Sequence, residues 1–294
     1  MYKKMKGAFA LSAAVIAISM ALVGRAQAPP DPESALKEIS TWYADQVKQA
    51  RDKKTQIDFT KLLAERRAKA EAALKDVDPA KAEPAKCLAL AQLYQIVEKE
   101  KEALAAAERF LTSNPEATPK YTAQQIVLAG YQTQGDADGL IRVLDQMKPP
   151  APQLSAFLAS SVARQYAVTV AEKKGLQAGL DLLKRMEARV PFDQLKTPQE
   201  KNIGSSAIAS IAMGRSSLYE KAGKTAEAKA ALEEAVKQLG AGNVYARQIE
   251  SKLKLASIPG SPAPELKFDR HYGDFKDLAS LKGKVVVLDF TAHW

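Results

Sequence analysis

Leu88–Pro115 reads LALAQLYQIVEKEKEALAAAERFLTSNP, and the placement of its apolar residues sets the fold class of most of the chain. Leu90, Ala91 and Tyr94 fall on one face of a first helix, Ala103, Ala107 and Phe110 on one face of a second, and Asn114-Pro115 closes the unit. Glu98, Glu100 and Glu102 alternate with lysines, which is the pattern of a solvated helix face and not of acid–base chemistry. A single helical hairpin cannot bury its apolar face alone, whereas stacked hairpins share a continuous core. The stretch therefore predicts neighbours built the same way.

This spacing resembles the tetratricopeptide repeat, a helix-turn-helix unit of about 34 residues. Three further stretches resemble it more loosely. One runs from Pro119 to Met147 with Val127, Tyr131, Gly135-Asp136, Leu140 and Leu144, and closes on Pro149-Pro150. Another carries Tyr166, Val170, Gly179, Leu183, Met186 and Pro191, and the last carries Tyr219, Gly223, Ala228, Leu232 and Ala235. Taking Tyr94, Tyr131, Val170 and Tyr219 as equivalents gives spacings of 37, 39 and 49 residues, the last including an insert around Phe192–Gln199. Thr197-Pro198-Gln199-Glu200 then forms a capping box with proline in the first turn. The small residues Gly204–Gly214 (GSSAIASIAMG) predict a buried helix in close contact with its neighbours.

Upstream, Asp31-Pro32-Glu33 supplies an N-cap and a first-turn proline for a helix over 33–51, with Leu36, Ile39, Trp42, Tyr43 and Val47 on one side. Lys53–Asp58 is a polar break, and a second helix over 59–75 completes a hairpin. Before these, a positive start at Met1–Lys6, an apolar stretch at Gly7–Val23 and the small-residue exit Ala26-Gln27-Ala28 read as an export signal over residues 1–28, cut after Ala26 or Ala28. Retention of residues 7–23 as a membrane anchor is the alternative reading.

Downstream, residues 255–264 form a Pro/Gly/Ser linker, and the composition then changes. Lys282-Gly283-Lys284 predicts a turn and Val285–Leu288 a strand buried on both faces, followed by Asp289, Phe290, Thr291, Ala292, His293 and Trp294. Gly260-Ser261-Pro262-Ala263-Pro264, the lead-in Gly273–Lys284, this strand and Trp294 stand in an order that resembles exported thiol-disulfide oxidoreductases of the TlpA/ResA type in the thioredoxin superfamily. The resemblance covers about residues 258–294 and implies an incomplete thioredoxin-like domain over 265–294, with a Cys-x-x-Cys pair expected directly after Trp294. It implies proton-transfer support from Asp289, against the plainer reading of a locally bonded strand-end aspartate, and it places His293 and Trp294 beside the cysteine pair. His293 is thereby a candidate for tuning the thiol pKa values. An unpaired strand at Val285–Phe290 is also an association hazard.

The 294-residue chain has a net charge of +9, of which Lys3, Lys4, Lys6 and Arg25 contribute four, leaving 9 − 4 = +5 beyond the targeting segment. That excess is scattered among acids and forms no basic run with interleaved aromatics, so nucleic acid is not an expected partner. Cys87 is the one cysteine, too few for dithiol exchange. It reads as a small buried core residue, the rival being a reactive or intermolecular thiol. His271, among Asp269, Arg270 and Tyr272, reads as part of a solvated polar cluster, and no metal site, cofactor motif or phosphate loop is expected.

The expected fold class is mainly α: a tetratricopeptide-like α-solenoid over 33–254 followed by the start of a thioredoxin-like α/β domain. The expected function is that of a fragment of an exported thiol-disulfide oxidoreductase, in the periplasm or cell envelope, whose substrates are protein or peptide thiols and disulfides. The helical array is then a docking or dimerising module, and no catalytic cysteine lies within the chain. The alternative is a non-catalytic exported scaffold that binds a peptide or protein on the array. A membrane is a partner only if the N-terminal segment is uncleaved.

Overall fold

The computed structural model describes residues 31–75, 77–256 and 277–287. These residues are mainly helical, and no strand occurs among them. Residues 1–30, which include the expected export signal, residue 76, residues 257–276 and residues 288–294 lie outside the described set, as do the expected site residues Asp289, His293 and Trp294.

The helix starts at Pro32, Phe59, Ala137 and Pro198 follow side-chain caps written in the sequence. Asp31 accepts from the Ser34 N–H and opens α1 (Pro32–Asp52), and Asp58 accepts from the Lys61 N–H at 3.0 Å and opens α2 (Phe59–Leu74). The Arg66 guanidinium lies 4.9 Å from the centre of the Tyr43 ring, and the Lys69 ammonium 4.9 Å from that of Trp42, so cations on α2 cover the aromatic side of α1. A short 3₁₀ turn at Pro84–Lys86 leads into α3 (Cys87–Ile96) and α4 (Glu100–Leu111). Leu90, Leu93, Ala103, Ala107 and Phe110 are buried between them.

α5 (Ala117–Gln134) packs on α4 so closely that a Cβ at Gly130 would sit 2.8 Å from Leu104 Cβ. It ends at Gly135, whose φ of 66° lets the Asp136 N–H reach back to Tyr131 O at 2.9 Å. Asp136 then caps α6 (Ala137–Gln146). α7 (Pro152–Ser161) passes through a π-helical turn (Val162–Tyr166) into α8 (Ala167–Lys174), and α9 (Leu176–Ala188) returns beside them. After a 3₁₀ turn at Phe192–Gln194 comes α10 (Pro198–Lys221). Its capping box is complete: Thr197 Oγ1 accepts from the Glu200 N–H at 3.2 Å while Glu200 Oε2 accepts from the Thr197 N–H at 2.9 Å. α11 (Thr225–Leu239) and α12 (Val244–Ala256) follow.

Most helices pack on the next, α6 packing instead on α8, and the first helices of hairpins also meet: α1 with α3, α3 with α5, α7 with α10, and α10 with α12. One apolar core runs from Ala35 to Leu218, and a smaller one joins Ile208, Ala212, Leu232 and Ile249 at the α10–α12 end. Tyr94, Tyr131, Val170 and Tyr219 each lie in the last turn or so of the first helix of their hairpins, at the ends of α3, α5, α8 and α10.

Two expectations need correction. Val285, Val286 and Val287 have no regular structure and are 96%, 41% and 86% exposed, so this part of the expected strand Val285–Leu288 is not formed. A strand gains stability only from neighbouring strands, and the described residues supply none. In addition, α12 continues through Leu255 and Ala256, past the expected start of the linker at 255.

Candidate functional site

α10 packs against helices on several sides, and one stripe of it stays open between α7–α8 and α12. It is flanked by α7–α8 on one side and α12 on the other, so Ala207, Ile208, Ile211, Ala212 and Leu218 are buried. Ser206, Ser210, Met213 and Ser217, at intervals of i, i+4, i+7 and i+11, are left as the floor of a groove of about 430 Å³. Arg164 and Val168 form one wall and Tyr245 and Gln248 the other.

The π turn shapes the first wall. The Ala167 N–H bonds to Val162 O, five residues back, so the turn is one residue wider than an α-helical one. It brings the Ala163 carbonyl against α10 at Gly214, where a Cβ would approach Ala163 O to 2.9 Å. Arg164 Nε donates to Ser160 O at 3.3 Å, which ties down the base of the guanidinium. No carboxylate of the described residues pairs with it, although other cations nearby are engaged: Lys221 with Glu172 at 3.2 Å and Lys252 with Glu220 at 3.3 Å. Those two pairs cross from α10 to α8 and to α12 beyond Ser217. Before Ser206, Asn243 Nδ2 donates to Ser205 Oγ at 3.2 Å.

This lining can bind, but it holds no reaction machinery. Three hydroxyls and an amide offer donors and acceptors to an extended backbone, Val168, Met213 and Tyr245 offer apolar contact, and Arg164 offers one positive charge. The serines have no adjacent histidine or lysine in the lining to serve as base. Among the described residues no group of three or more His, Cys, Asp or Glu is placed to hold a metal ion, and no helix is long and apolar enough to cross a membrane.

Cys87 lies at the start of α3, far along the chain from the groove. It is fully buried, and its Sγ lies 3.4 Å from Glu83 O. Burial pushes the thiol pKa up, against an opposing pull from Arg109. A thiol in this state is a poor nucleophile. Asp289, His293 and Trp294 lie outside the described residues, so no geometry joins them to Cys87 or to the groove.

Sequence reasoning gave Gly204–Gly214 a packing role only, and so missed Ser206, Ser210 and Met213 as floor residues. Their spacing, with Ser217, was the available signal. Arg164 carried none, because the π turn resets the helical phase just where the residue stands. Comparison with protein-family models, with curated proteins and with solved structures finds no match.

Proposed function

We propose that the chain is the partner-holding helical part of an exported thiol-disulfide oxidoreductase, arranged as a tetratricopeptide-like array. The groove along α10 carries the binding half of this reading, since it combines an open floor of hydroxyls with a single unpaired cation. The equivalent placement of Tyr94, Tyr131, Val170 and Tyr219 supports the repeat assignment. The redox half is supported by the order of Pro262-Ala263-Pro264, Gly273–Lys284 and Trp294 in the sequence. In this reading the exchanging cysteines follow Trp294, the protein works in the periplasm or cell envelope, and the array presents protein or peptide thiols to them.

A second reading, a non-catalytic exported scaffold, is favoured by the burial of the single cysteine, which leaves the chain itself no exchanging thiol. Sequencing the transcript beyond the Trp294 codon separates the two. An open frame beginning Cys-x-x-Cys, with insulin-reducing activity lost on changing those cysteines to serine, supports the oxidoreductase; a longer product without the pair supports the scaffold. The groove is tested on the chain as it stands. Ser210→Arg fills the floor, and peptides that bind the unaltered chain by fluorescence anisotropy are expected to bind the variant at least tenfold more weakly. Unchanged affinity would remove the groove from the account.

A further inference from the structure

A second cavity, of about 560 Å³, opens where α5 begins, away from the α10 groove. Its lining is Pro115, Ala117, Lys120 and Gln124 from the start of α5 and the residues before it, with Gln146 and Lys148 from the end of α6. Three features of this lining call for the same kind of ligand.

The first is Gln124. It is 3% exposed, and its side-chain amide has no hydrogen-bond partner among the described residues. The residue is almost wholly enclosed and lines the cavity, so a polar group placed there can complete its hydrogen bonding. The second is the helix start. α5 has 18 residues and no side-chain cap, so the Ala117 and Thr118 N–H groups are unpaired, and its first turn contains no acid. Such a terminus carries partial positive charge and favours an anion. The third is the pair of lysines. Neither Lys120 nor Lys148 forms an ion pair, and no residue of the lining is acidic.

Glu116, the N-cap residue of α5, is not part of the lining, and the other neighbouring groups are fixed. Arg189 donates to Leu144 O at 2.7 Å and also to Met147 O, which holds the end of α6 from α9. Asp145, the nearest acid in sequence to Gln146, is already paired with Arg185 at 2.7 Å. The cavity thus has two ammonium groups without ion pairs, the unpaired Ala117 N–H and an unpartnered glutamine amide, on elements held in place by their neighbours.

We propose that this cavity binds a small organic anion, through a carboxylate or phosphate between Lys120, Lys148 and the start of α5, with Gln124 bonding a polar group of the same ligand. The volume falls within the range of small-molecule sites. Carboxylate and phosphate share this chemistry, and the test separates them. The full chain is titrated calorimetrically with succinate and with inorganic phosphate, and the tighter probe identifies the head group. Saturable binding is expected for at least one, weakened at least tenfold in the Lys120→Gln/Lys148→Gln double variant and severalfold in Gln124→Met, whose melting temperature is expected not to fall. Ser210→Arg is expected to leave this binding unchanged, which keeps the site distinct from the groove. No saturable binding of either probe at millimolar concentration, or equal binding by the double lysine variant, would overturn the proposal.

Discussion

The hairpins α1–α2 and α3–α4 are built on the same plan, yet they bury very different shares of their apolar residues. In α3–α4, Cys87, Leu90, Ala91, Leu93, Ala103, Ala107 and Phe110 are all buried, because helices pack on both sides of the hairpin. In α1–α2 the buried set is Ala35, Ile39, Leu62, Ala70 and Ala73, while Phe59 and Leu63 are 53% and 50% exposed. Cations on aromatic rings replace part of the missing contact. The difference follows from position: a hairpin with neighbours on both faces finds a core for both, and one at the edge of the packed helices does not.

Substitutions sharpen this contrast. The largest effect is expected from Leu90→Ala, which empties a fully buried site and should cost about 2–5 kcal/mol in chemical denaturation. Its counterpart Leu63→Ala should change stability by less than about 0.5 kcal/mol, and equal losses would mean that the two hairpins are equally packed. Gly214→Ala comes next. Its Cβ meets the backbone carbonyl of Ala163, which cannot move aside as a side chain can, so about 1–3 kcal/mol is expected, read as a lowered melting temperature. The smallest effect concerns Glu200, whose carboxyl is held below the usual range first by the Thr197 N–H and then by that of Lys196. Because the folded value is lowered, its contribution is full above the ordinary carboxylate range and is lost as pH falls through the lowered value. The stability difference between the unaltered chain and Glu200→Gln should therefore shrink to nothing on acidification; a difference that persists would assign the effect to packing.

The helices were legible because their signals are local. Asp31, Asp58 and Thr197-Glu200 are caps that act within three residues, and the apolar period of α3 and α4 needs no knowledge of the elements that pack there. Features that depend on distant partners were not legible. Val285–Val287 has the composition of a buried strand, but a strand is completed by other strands, and composition does not supply them. Residues Gly204–Gly214 read as small residues for close packing, and Ile208, Ile211 and Ala212 do pack. Which small residues instead face open space depends on the flanking α7–α8 and α12, so the spacing of Ser206, Ser210 and Ser217 alone did not single them out as a floor. Gln124 gave no sign either, since a glutamine between Ala123 and Ile126 looks like any polar residue beside an apolar face until the packing on α5 is known.

The π turn at Val162–Tyr166 also governs how the chain tolerates a change of length. Such a turn accommodates one residue beyond the α-helical count. Deleting a single residue there, for instance Gln165, would let α7 and α8 join as an uninterrupted α-helix. Because the wide turn already takes up the extra residue, α7 would keep nearly its present phase relative to α8. Phe157, 49% exposed, would keep its face, while the Ala163 carbonyl would draw back from Gly214 as the turn tightens. The turn is thus a one-residue buffer of chain length, and the wall of the groove is tuned to its presence.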